Sequence, residues 1–477
     1  MKICRFEDIQ AWQAARKLCR LVYELSGKAQ FAKDFGLRDQ ARRAAVSIMA
    51  NISEGFDCHS NQEFIQFLSY ALRSASELQS HFYVAQDQGY VMPSQFDEVY
   101  DGAGKVKRMI FGFIDYLREH KKHSTMNLEP EPGPKMRILV TGGAGFIGSH
   151  LVRRLVVQSG HEVVNLDALK YSGNLANLKA IEAHARHTFV HGDIGDQPLV
   201  ERLLREHRIE GVINAAAETH VDRSILDPGA FARTDVVGTG VLLEESRRAG
   251  LQRFLQVSTD EVYGSVETGM SAENDCLAPR SPYSASKAGG DLLALSYWTT
   301  YRFPVMVTRG SNTYGANQYP EKFVPLFVTN AIDNQPLPLY GDGRQCRDWL
   351  AVQDHCSAIE HVFLRGEPGE IYNVGGGNER ENMTVAEQIV VHLGKSRDLI
   401  RLVKDRPGHD RRYAVDCSKL RRLGWSPGVP FEEGLRATIQ WYQEHEDWWR
   451  TIKSGEFRQY YEQQYRQRLD QGTACGS

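Results

Sequence analysis

Apolar residues in the first 122 positions recur every three or four residues, the period of a helix with one buried face. Four such segments lie near 6–26, 36–56, 61–88 and 94–120, separated by short breaks that contain glycine or proline. Consecutive helices joined by short loops pack as antiparallel neighbours. The pattern therefore predicts an all-α four-helix bundle over residues 1–122.

The pattern changes at residues 123–135, HSTMNLEPEPGPK, where three prolines and no apolar period predict a linker. From Met136 onward, short apolar runs alternate with helical stretches. The runs predicted as buried strands are RILVTGG, EVVNLDAL, RHTFVHGDI, GVINAAAE, RFLQVSTDEVYG and VMVTRGSN. This alternation is typical of a doubly wound parallel sheet with helices on both faces. After residue 310 the loops lengthen, which predicts a smaller α/β substrate lobe, and we expect a tail at 468–477.

Composition adds only limits to this picture. The chain has 42% hydrophobic and 25% charged residues and a net charge of −3, typical of a globular protein without a basic nucleic-acid surface. The eight cysteines show neither a CxxC pair nor a zinc spacing, so we expect reduced thiols, no metal and a cytoplasmic location. The sequence contains neither a secretory signal nor an apolar run long enough to span a membrane.

A glycine-rich turn follows the first strand of the second domain. In VTGGAGFIGSHL, Gly142 permits the tight turn, Gly145 lets the backbone approach a pyrophosphate, and Gly148 lets the helix pack on the strand. Asp167 ends the next strand, 19 residues after Gly148, where a carboxylate can accept the adenosine ribose hydroxyls and repel a 2′-phosphate. Lys170 weakens that preference. The pattern predicts a Rossmann-type fold that binds NAD.

A tyrosine and a lysine follow at catalytic spacing. Tyr283 and Lys287 in SPYSASK are four residues apart and so share one helix face. An ammonium and a nicotinamide charge would both lower the phenol pKa, which favours a catalytic base. Such a pair also occurs by chance on surface helices. The glycine turn and the intervening strand that ends at Ser258 favour the catalytic interpretation.

Two adjacent carboxyls follow that strand. VSTDEVYG places Thr259, Asp260 and Glu261 beside the expected nicotinamide. Elimination of water from a sugar oxidised at C4 needs a base for the C5 proton and an acid for the C6 hydroxyl. Adjacent carboxyls in different environments can divide those tasks. The alternative is that both residues only cap a turn.

These features resemble the extended short-chain dehydrogenase/reductase family, and the carboxyl pair narrows the resemblance to dTDP-glucose 4,6-dehydratases. Residues 136–467 carry further motifs similar to that family: AAETHVDRSI, YPEKFVPLF, GDGRQCRDWL, YNVGGGNERENM and DRPGHDRRYAVD. Asp235 stands where the family usually has asparagine. Such departures leave the nucleotide base of the substrate open, so UDP-glucose, CDP-glucose and GDP-mannose stay as alternative substrates. A decarboxylase of the same superfamily stays as an alternative enzyme.

The resemblance implies a division of labour. Tyr283, assisted by Thr259, would take the C4 hydroxyl proton while NAD takes a hydride that later returns to C6. Glu261 would take the C5 proton, and Asp260 would protonate the departing C6 hydroxyl. The catalytic set is Thr259, Asp260, Glu261, Tyr283 and Lys287. The product would be a 4-keto-6-deoxy sugar, and NAD would stay bound.

Binding residues follow from the same resemblance. The cofactor set is Gly142, Gly145, Phe146, Ile147, Gly148, Asp167, Lys170, Asp193, Ile194, Ala216, Thr234, Tyr283, Lys287 and Thr313. The substrate set is Thr219, Thr259, Asn312, Lys322, Arg347, Asn382 and His409. Of these, Lys322 and Arg347 make physical sense as partners of a diphosphate, because cations bind its oxygens.

The first 122 residues resemble a different group. FGLRDQARRAAVSIMANISEGF, preceded by FEDIQAWQAARKLCRLVYEL, is similar to four-helix-bundle proteins encoded in intervening sequences of bacterial large-subunit ribosomal RNA genes. The resemblance implies self-association and a nucleic-acid partner, which Arg38, Arg42 and Arg43 could contact as a basic patch. The segment holds 17 lysines and arginines against 15 acidic residues, however, which favours solvated or locally paired arginines.

Two hypotheses therefore stand. The first is a homo-oligomeric nucleotide-sugar dehydratase. The second is a nucleic-acid-binding or scaffold protein with an inactive dehydrogenase-like domain, against which the intact catalytic set argues.

Overall fold

A computed structural model describes residues 5–28, 30–56, 61–119, 135–406, 408–455, 457 and 461. The chain divides into two compact units, Met1–Gly133 and Pro134–Ser477. The predicted linker, apart from Lys135, and the predicted tail lie outside the described residues.

The first unit is helical, as its apolar period predicts. Its four helices are α1 (Gln10–Ser26), α2 (Phe35–Phe56), α3 (Asn61–Asp87) and α4 (Pro93–Glu119). Residues at the predicted helical spacing form one core, in which Ile48, Leu78 and Ile110 are fully buried. The apolar residues of each helix thus lie on one face, and burial of these faces against one another stabilises the fold of this unit.

The described residues of the second unit form twelve strands. These are β1 (Arg137–Thr141), β2 (Glu162–Asp167), β3 (His187–His191), β4 (Gly211–Asn214), β5 (Arg253–Thr259), β6 (Val305–Gly310), β7 (Asn312–Tyr314), β8 (Leu337–Tyr340), β9 (Cys346–Ala351), β10 (Ile371–Val374), β11 (Glu379–Glu381) and β12 (Ile400–Val403). Seven form a parallel sheet in the order β10-β6-β5-β4-β1-β2-β3. The predicted doubly wound fold is confirmed. The strand β10 extends it beyond the strands that the sequence pattern predicted.

The α-helices described in the second unit are α5 (Phe146–Arg153), α6 (Gln197–Glu206), α7 (Val221–Leu226), α8 (Pro228–Phe231), α9 (Thr239–Arg248), α10 (Pro282–Tyr301), α11 (Phe323–Ile332), α12 (Val352–Arg365), α13 (Asn382–His392), α14 (Ser418–Arg422), α15 (Phe431–Glu444) and α16 (Glu446–Ser454). Five of them pack on the large sheet. Apolar residues of α5 and α12 share one core with the sheet, and those of α6, α9 and α10 share another. None of the described helices combines the length and the apolar character that crossing a membrane requires.

The strand order reverses between β1 and β4, and this switch point positions the site. In open parallel sheets, ligands bind beyond the carboxyl ends of the strands at such a point. A separate core joins α11, α13 and α15 with the two small sheets, β11-β9-β7 and β12-β8. These elements follow residue 310 and form the smaller lobe.

Candidate active site

The glycine turn after β1 has no room for side chains. Gly142 has a φ of +68°, and a Cβ there would lie 2.7 Å from the Cα of Ala216. A Cβ on Gly148 would lie 2.1 Å from the carbonyl oxygen of Gly142. The turn therefore packs tightly against the amino end of α5, where only glycine leaves room for the backbone. This cradle fits a dinucleotide pyrophosphate.

The carboxylate at the end of β2 braces this turn. Asp167 Oδ2 accepts a hydrogen bond from the Ala144 amide at 2.8 Å, and Oδ1 accepts one from the Leu169 amide at 2.7 Å. Burial raises the pKa of Asp167, and these amide bonds oppose the rise. Asp167 thus lines the cleft and supports its wall at the same time.

The lysine near this carboxylate is paired. Lys170 Nζ lies 2.8 Å from Glu218 Oε1 and 3.4 Å from Asp193 Oδ2, and it donates to Thr234 Oγ1 at 2.9 Å. Two carboxylates therefore offset its charge, so the expected weakening of the preference for NAD is small.

One cleft collects nearly all of the predicted cofactor residues. Its lining includes Gly142, Gly145, Phe146, Ile147, Gly148, Asp167, Lys170, Asp193, Ile194, Ala216, Thr234, Tyr283 and Lys287. Thr313 does not line the cleft. Its hydroxyl contacts the ring of His355, and His355 does line the cleft. Of the predicted substrate residues, Thr219 and Lys322 line the same cleft.

Helix α10 brings Tyr283 and Lys287 to this cleft. The hydroxyl of Ser281 caps its first turn by accepting from the Ser284 amide, and Lys287 Nζ donates to the Val257 carbonyl at 2.8 Å. Thr259, at the end of β5, lies close enough to Tyr283 to lower the pKa of its hydroxyl. Burial, foremost, and the charge of Glu261 raise the pKa of Tyr283 well above 10. In the protein alone, burial thus outweighs the lowering predicted from Lys287.

Asp260 lies in acidic, dry surroundings. It is only 2% exposed, and its Oδ2 has no hydrogen-bond partner among the described residues. Burial raises its pKa well above the usual value, and the neighbouring charges of Glu261 and Asp348 raise it further. Arg347 opposes this shift only in part. These surroundings favour the protonated form of Asp260, the form that can act as an acid.

Glu261 lies among cations instead. Burial raises its pKa, but Arg406, Arg347 and Lys322 all act in the opposite direction. The side chain of Glu261 is half-buried, and its backbone amide donates a hydrogen bond to the Thr259 hydroxyl at 3.3 Å. Burial raises the pKa of both adjacent carboxyls, but neighbouring carboxylates add to the rise at Asp260 and cations oppose it at Glu261. Such a difference in surroundings can divide the acid and base tasks between two carboxyls.

Of the predicted substrate residues, Arg347 and Lys322 lie close enough to Glu261 to oppose the rise in its pKa. Arg347 donates to the carbonyls of Cys346 at 2.7 Å and Asp410 at 2.9 Å. His409 Nδ1 lies 2.6 Å from Asp405 Oδ1, and burial lowers its pKa to about 4. On the other side, Lys322 donates to Thr219 Oγ1 at 2.8 Å.

Two predicted substrate residues present buried oxygens. The side-chain Oδ1 atoms of Asn312 and Asn382 have no hydrogen-bond partner within the described part of the chain. The amide of Asn382 donates to the Gln345 carbonyl at 2.9 Å, and Gln345 Nε2 lies 3.4 Å from His409 Nδ1. Asn382, Gln345 and His409 are therefore linked by these contacts.

Three groups at the site were missed by sequence reasoning. Arg406 contributes the largest opposing charge at Glu261, and Asp348 raises the pKa of Asp260. Both lie inside family-like motifs, DRPGHDRRYAVD and GDGRQCRDWL, which could have indicated them. No sequence signal pointed to His355.

The proposed basic patch of the bundle is engaged locally. Arg38 lies 2.9 Å from Asp39 and donates to the Ala32 carbonyl, while Arg42 donates to the Ser26 hydroxyl at 2.8 Å. These contacts favour the locally paired interpretation for both arginines.

Comparisons with known proteins divide the chain in the same way. A family model described as GDP-mannose 4,6 dehydratase matches residues 139–438, and one described as 23S rRNA-intervening sequence protein matches residues 7–112. A dTDP-glucose 4,6-dehydratase of Xanthomonas campestris is 51% identical over 67% of this chain and 97% of that protein. One from Escherichia coli K12 is 44% identical over 69% of this chain and 99% of its own length.

Solved structures agree. A dTDP-glucose 4,6-dehydratase from Streptomyces venezuelae, solved with NAD bound, matches with a TM-score of 0.65 and 48% identity over 67% of this chain and 100% of that chain. A dTDP-glucose 4,6-dehydratase from Bacillus anthracis, in complex with NAD, matches with a TM-score of 0.63 and 49% identity, covering 67% and 100% of the two chains. Both resemblances stated from the sequence are therefore confirmed.

Proposed function

The chain belongs to the GDP-mannose 4,6 dehydratase family, and we propose that it dehydrates dTDP-glucose to the 4-keto-6-deoxy sugar with bound NAD. The observation that carries this proposal is the carboxyl pair beside Tyr283: Asp260 lies in dry, acidic surroundings, and Glu261 lies among cations. An oxidoreductase that stopped at the ketone would need neither.

The cofactor's place follows from the fit of the cleft. The glycine turn would hold its pyrophosphate, and Asp167 would accept the ribose hydroxyls at the β2 end. NAD, when bound there, supplies a hydride acceptor for C4 and the donor that returns the hydride to C6.

The chain's own groups then move the protons. Tyr283 takes the C4 hydroxyl proton, with Thr259 sharing the hydrogen bond, and a ketone forms at C4. The ketone acidifies the C5 proton, which Glu261 removes. Asp260 transfers its proton to the C6 oxygen as the C6–O bond breaks, so that water leaves. Glu261 then returns its proton to C5. The proton taken by Tyr283 passes to solvent and Asp260 takes one up, so the net change is the loss of one water molecule.

The substrate would lie between the two groups of polar residues that meet at Glu261. Lys322 and Thr219 from the cleft, and Arg347 and His409 from the smaller lobe, surround the space next to the carboxyl pair. Cations there would bind the diphosphate. Asn312 and Asn382 offer the buried oxygens that a hydroxyl or a base N–H would satisfy.

A product assay tests the proposal. The purified full chain, without added NAD, is incubated with dTDP-glucose, UDP-glucose, CDP-glucose and GDP-mannose, and the 4-keto-6-deoxy products are measured. We expect dTDP-glucose to be converted fastest. Faster conversion of another sugar would contradict the choice of base, and a preparation that contains NAD but converts none would contradict the reaction.

The Glu261→Gln variant tests the assigned base. We expect it to retain NAD and to oxidise C4 but to stall before water leaves, so the absorbance of reduced cofactor accumulates. The rate of product formation should fall by about a hundredfold or more. Glu267→Gln is the matched control, because Glu267 is exposed and lies six residues further along the chain. Normal turnover by Glu261→Gln would refute the assignment.

We also propose that the chain self-associates and works in the cytoplasm. Large apolar side chains are exposed on the bundle, among them Phe35, Phe111, Tyr116 and Met92. The described cysteines, Cys19, Cys276, Cys346, Cys356 and Cys417, are free thiols, which suits a reducing compartment. Light scattering would detect the oligomer. A salt-dependent RNA mobility shift would test the nucleic-acid partner, which stays a prediction of the resemblance.

A further inference from the structure

A buried histidine lies beside the reaction centre without a role in the proposed mechanism. His355, in the first turn of α12, is 2% exposed, and its ring packs on Gly310, where a Cβ would lie 2.5 Å from the ring. Gly310 is the register partner of Thr259, which lies beside Tyr283. The ring therefore lies at the carboxyl ends of β5 and β6 and lines the cofactor cleft.

The neighbours of the ring determine its tautomer. His355 Nδ1 lies 2.7 Å from Thr313 Oγ1, and the same hydroxyl donates to the Ser311 carbonyl at 3.1 Å. A threonine hydroxyl has one hydrogen, so both contacts exist together only if the Nδ1–H of His355 donates to Thr313. Nε2 then carries the lone pair. Burial lowers the pKa of His355 to about 4, so the ring is neutral.

The Nε2 atom of His355 is thus a hydrogen-bond acceptor. It is buried and has no hydrogen-bond partner among the residues that the structure describes. A buried acceptor without a partner is costly, so a ligand that supplies an N–H would gain affinity there. Phosphate oxygens carry no such hydrogen at neutral pH and do not fit this atom.

The position in the cleft selects the ligand group. The adenine half of a dinucleotide lies over β2 and β3, where Asp167 and Asp193 line the cleft, and the nicotinamide half lies over β4 to β6. The carboxamide is the N–H donor of that half. We propose that His355 Nε2 accepts a hydrogen bond from the carboxamide of bound NAD, with Thr313 holding the ring in the required tautomer. This inference rests on the proposed function, which places NAD in the cleft.

The contact would fix the rotation of the nicotinamide ring. A ring that turned over about its ribose bond would move the carboxamide away from His355 and present its other face to the sugar. His355 therefore acts as a positioning residue, and Thr313, which does not line the cleft, acts through it.

A competition experiment tests the contact through binding. The full chain is equilibrated with a mixture of NAD and 3-acetylpyridine adenine dinucleotide, in which a methyl group replaces the carboxamide nitrogen. Free dinucleotide is removed, and the bound ratio is measured. Compared with the wild type, His355→Leu should lose about tenfold of the preference for NAD. Thr313→Val should lose a smaller part of it.

Cys356→Ala is the matched control. Its thiol is also buried in the first turns of α12, and Sγ contacts the Ile147 carbonyl at 3.5 Å, but the residue is not part of the cleft lining. We expect it to keep the wild-type ratio.

The outcomes separate the contact from the function. A wild-type ratio in His355→Leu overturns the contact, and equal weakening of both dinucleotides overturns the choice of the carboxamide. A wild-type ratio in Thr313→Val overturns the tautomer argument even if His355→Leu does not fold. A wild-type chain that binds neither dinucleotide refutes the proposed function instead.

Discussion

The bundle and the second unit bury different kinds of residue. Among the described residues of the bundle, the buried polar side chains are Ser26 and Ser74, and the rest of the core is apolar. The second unit buries charged groups such as Lys287, Arg309 and Asp260. A buried charge costs desolvation free energy unless it is paired, so the second unit keeps such groups only with specific partners or at its site.

One buried pair shows how such charges organise the site. Arg309 on β6 donates to Asp291 on α10 at 3.0 Å and to the Tyr263 hydroxyl at 2.8 Å. Arg309 is also the register partner of Ser258 on β5, the residue before Thr259. The pair therefore ties the strand that holds the carboxyls to the helix that holds the tyrosine. The described residues of the bundle bury no charged side chain and so contain no equivalent pair.

The largest expected effect is a loss of turnover when the hydroxyl oxygen of Tyr283 is removed. Tyr283→Phe should lower turnover of dTDP-glucose by about a thousandfold, because it removes the group that takes the C4 proton. The free energy of unfolding should change by only about 1 kcal/mol. Tyr297→Phe, on the same helix and half-buried, is the control. Substantial turnover by Tyr283→Phe would show that the buried charges around it serve the fold alone.

Breaking the buried pair should destabilise the second unit. Arg309→Met leaves the carboxylate of Asp291 unpaired, which should cost about 3–5 kcal/mol. Denaturant unfolding followed by tryptophan fluorescence measures this, because six of the seven tryptophans lie in that unit.

Two further variants give this prediction its reference points. Arg20→Met, on the exposed face of α1, should change stability by at most about 0.5 kcal/mol. Adding Asp291→Leu to Arg309→Met should restore part of the loss. An unaltered midpoint in Arg309→Met would remove the contrast between the two units.

The pH profile should respond to the cation beside Glu261. Glu261 works as a base only when deprotonated, so turnover falls as the pH drops through its pKa. Arg406→Met removes the strongest opposing charge and lets burial raise that pKa further, so the acid limb of kcat should move up by about one pH unit. Arg411→Met, whose guanidinium pairs with Asp342 in an exposed bridge, should leave the limb in place. An unmoved limb in Arg406→Met would disprove the assigned environment.

The smallest expected effect is that of an alanine in the bundle, where the substitution acts in the opposite direction from the same change at the glycine turn. Gly112 lies exposed in α4, and a Cβ added there would have no neighbouring atom within 4 Å, so Gly112→Ala should stabilise the bundle by about 0.5–1 kcal/mol. Gly148→Ala would place a Cβ 2.1 Å from the Gly142 carbonyl and should abolish NAD retention. Unfolding midpoints and bound NAD after gel filtration measure the two effects. A destabilised Gly112→Ala would contradict the view that the bundle depends on helix propensity and apolar faces.

Local patterns explain what the sequence could predict. The segment at 36–56 became a helix at Phe35–Phe56 because apolar spacing is a property of neighbouring residues. The glycine turn was predictable for the same reason: strand, turn and helix follow one another directly. The pairing of Tyr283 and Lys287 was predictable because residues four apart share one face of a helix.

Long-range packing explains the rest. Arg406 reaches Glu261 across 145 positions only because the smaller lobe folds over the sheet. His355 has an ordinary helical context in the sequence, and its neighbours Gly310 and Thr313 come from β6 and β7. The strand β10 was not predicted because its pairing with β6 depends on a distant segment.

The bracing of the glycine turn by Asp167 limits how this protein can be re-engineered. Both carboxylate oxygens accept backbone amides, one from the turn and one from Leu169, which has a φ of +48°. Replacing the acidic residue to admit a phosphorylated dinucleotide would remove these supports together with the repulsion. A change of coenzyme would therefore require a new loop rather than a new side chain.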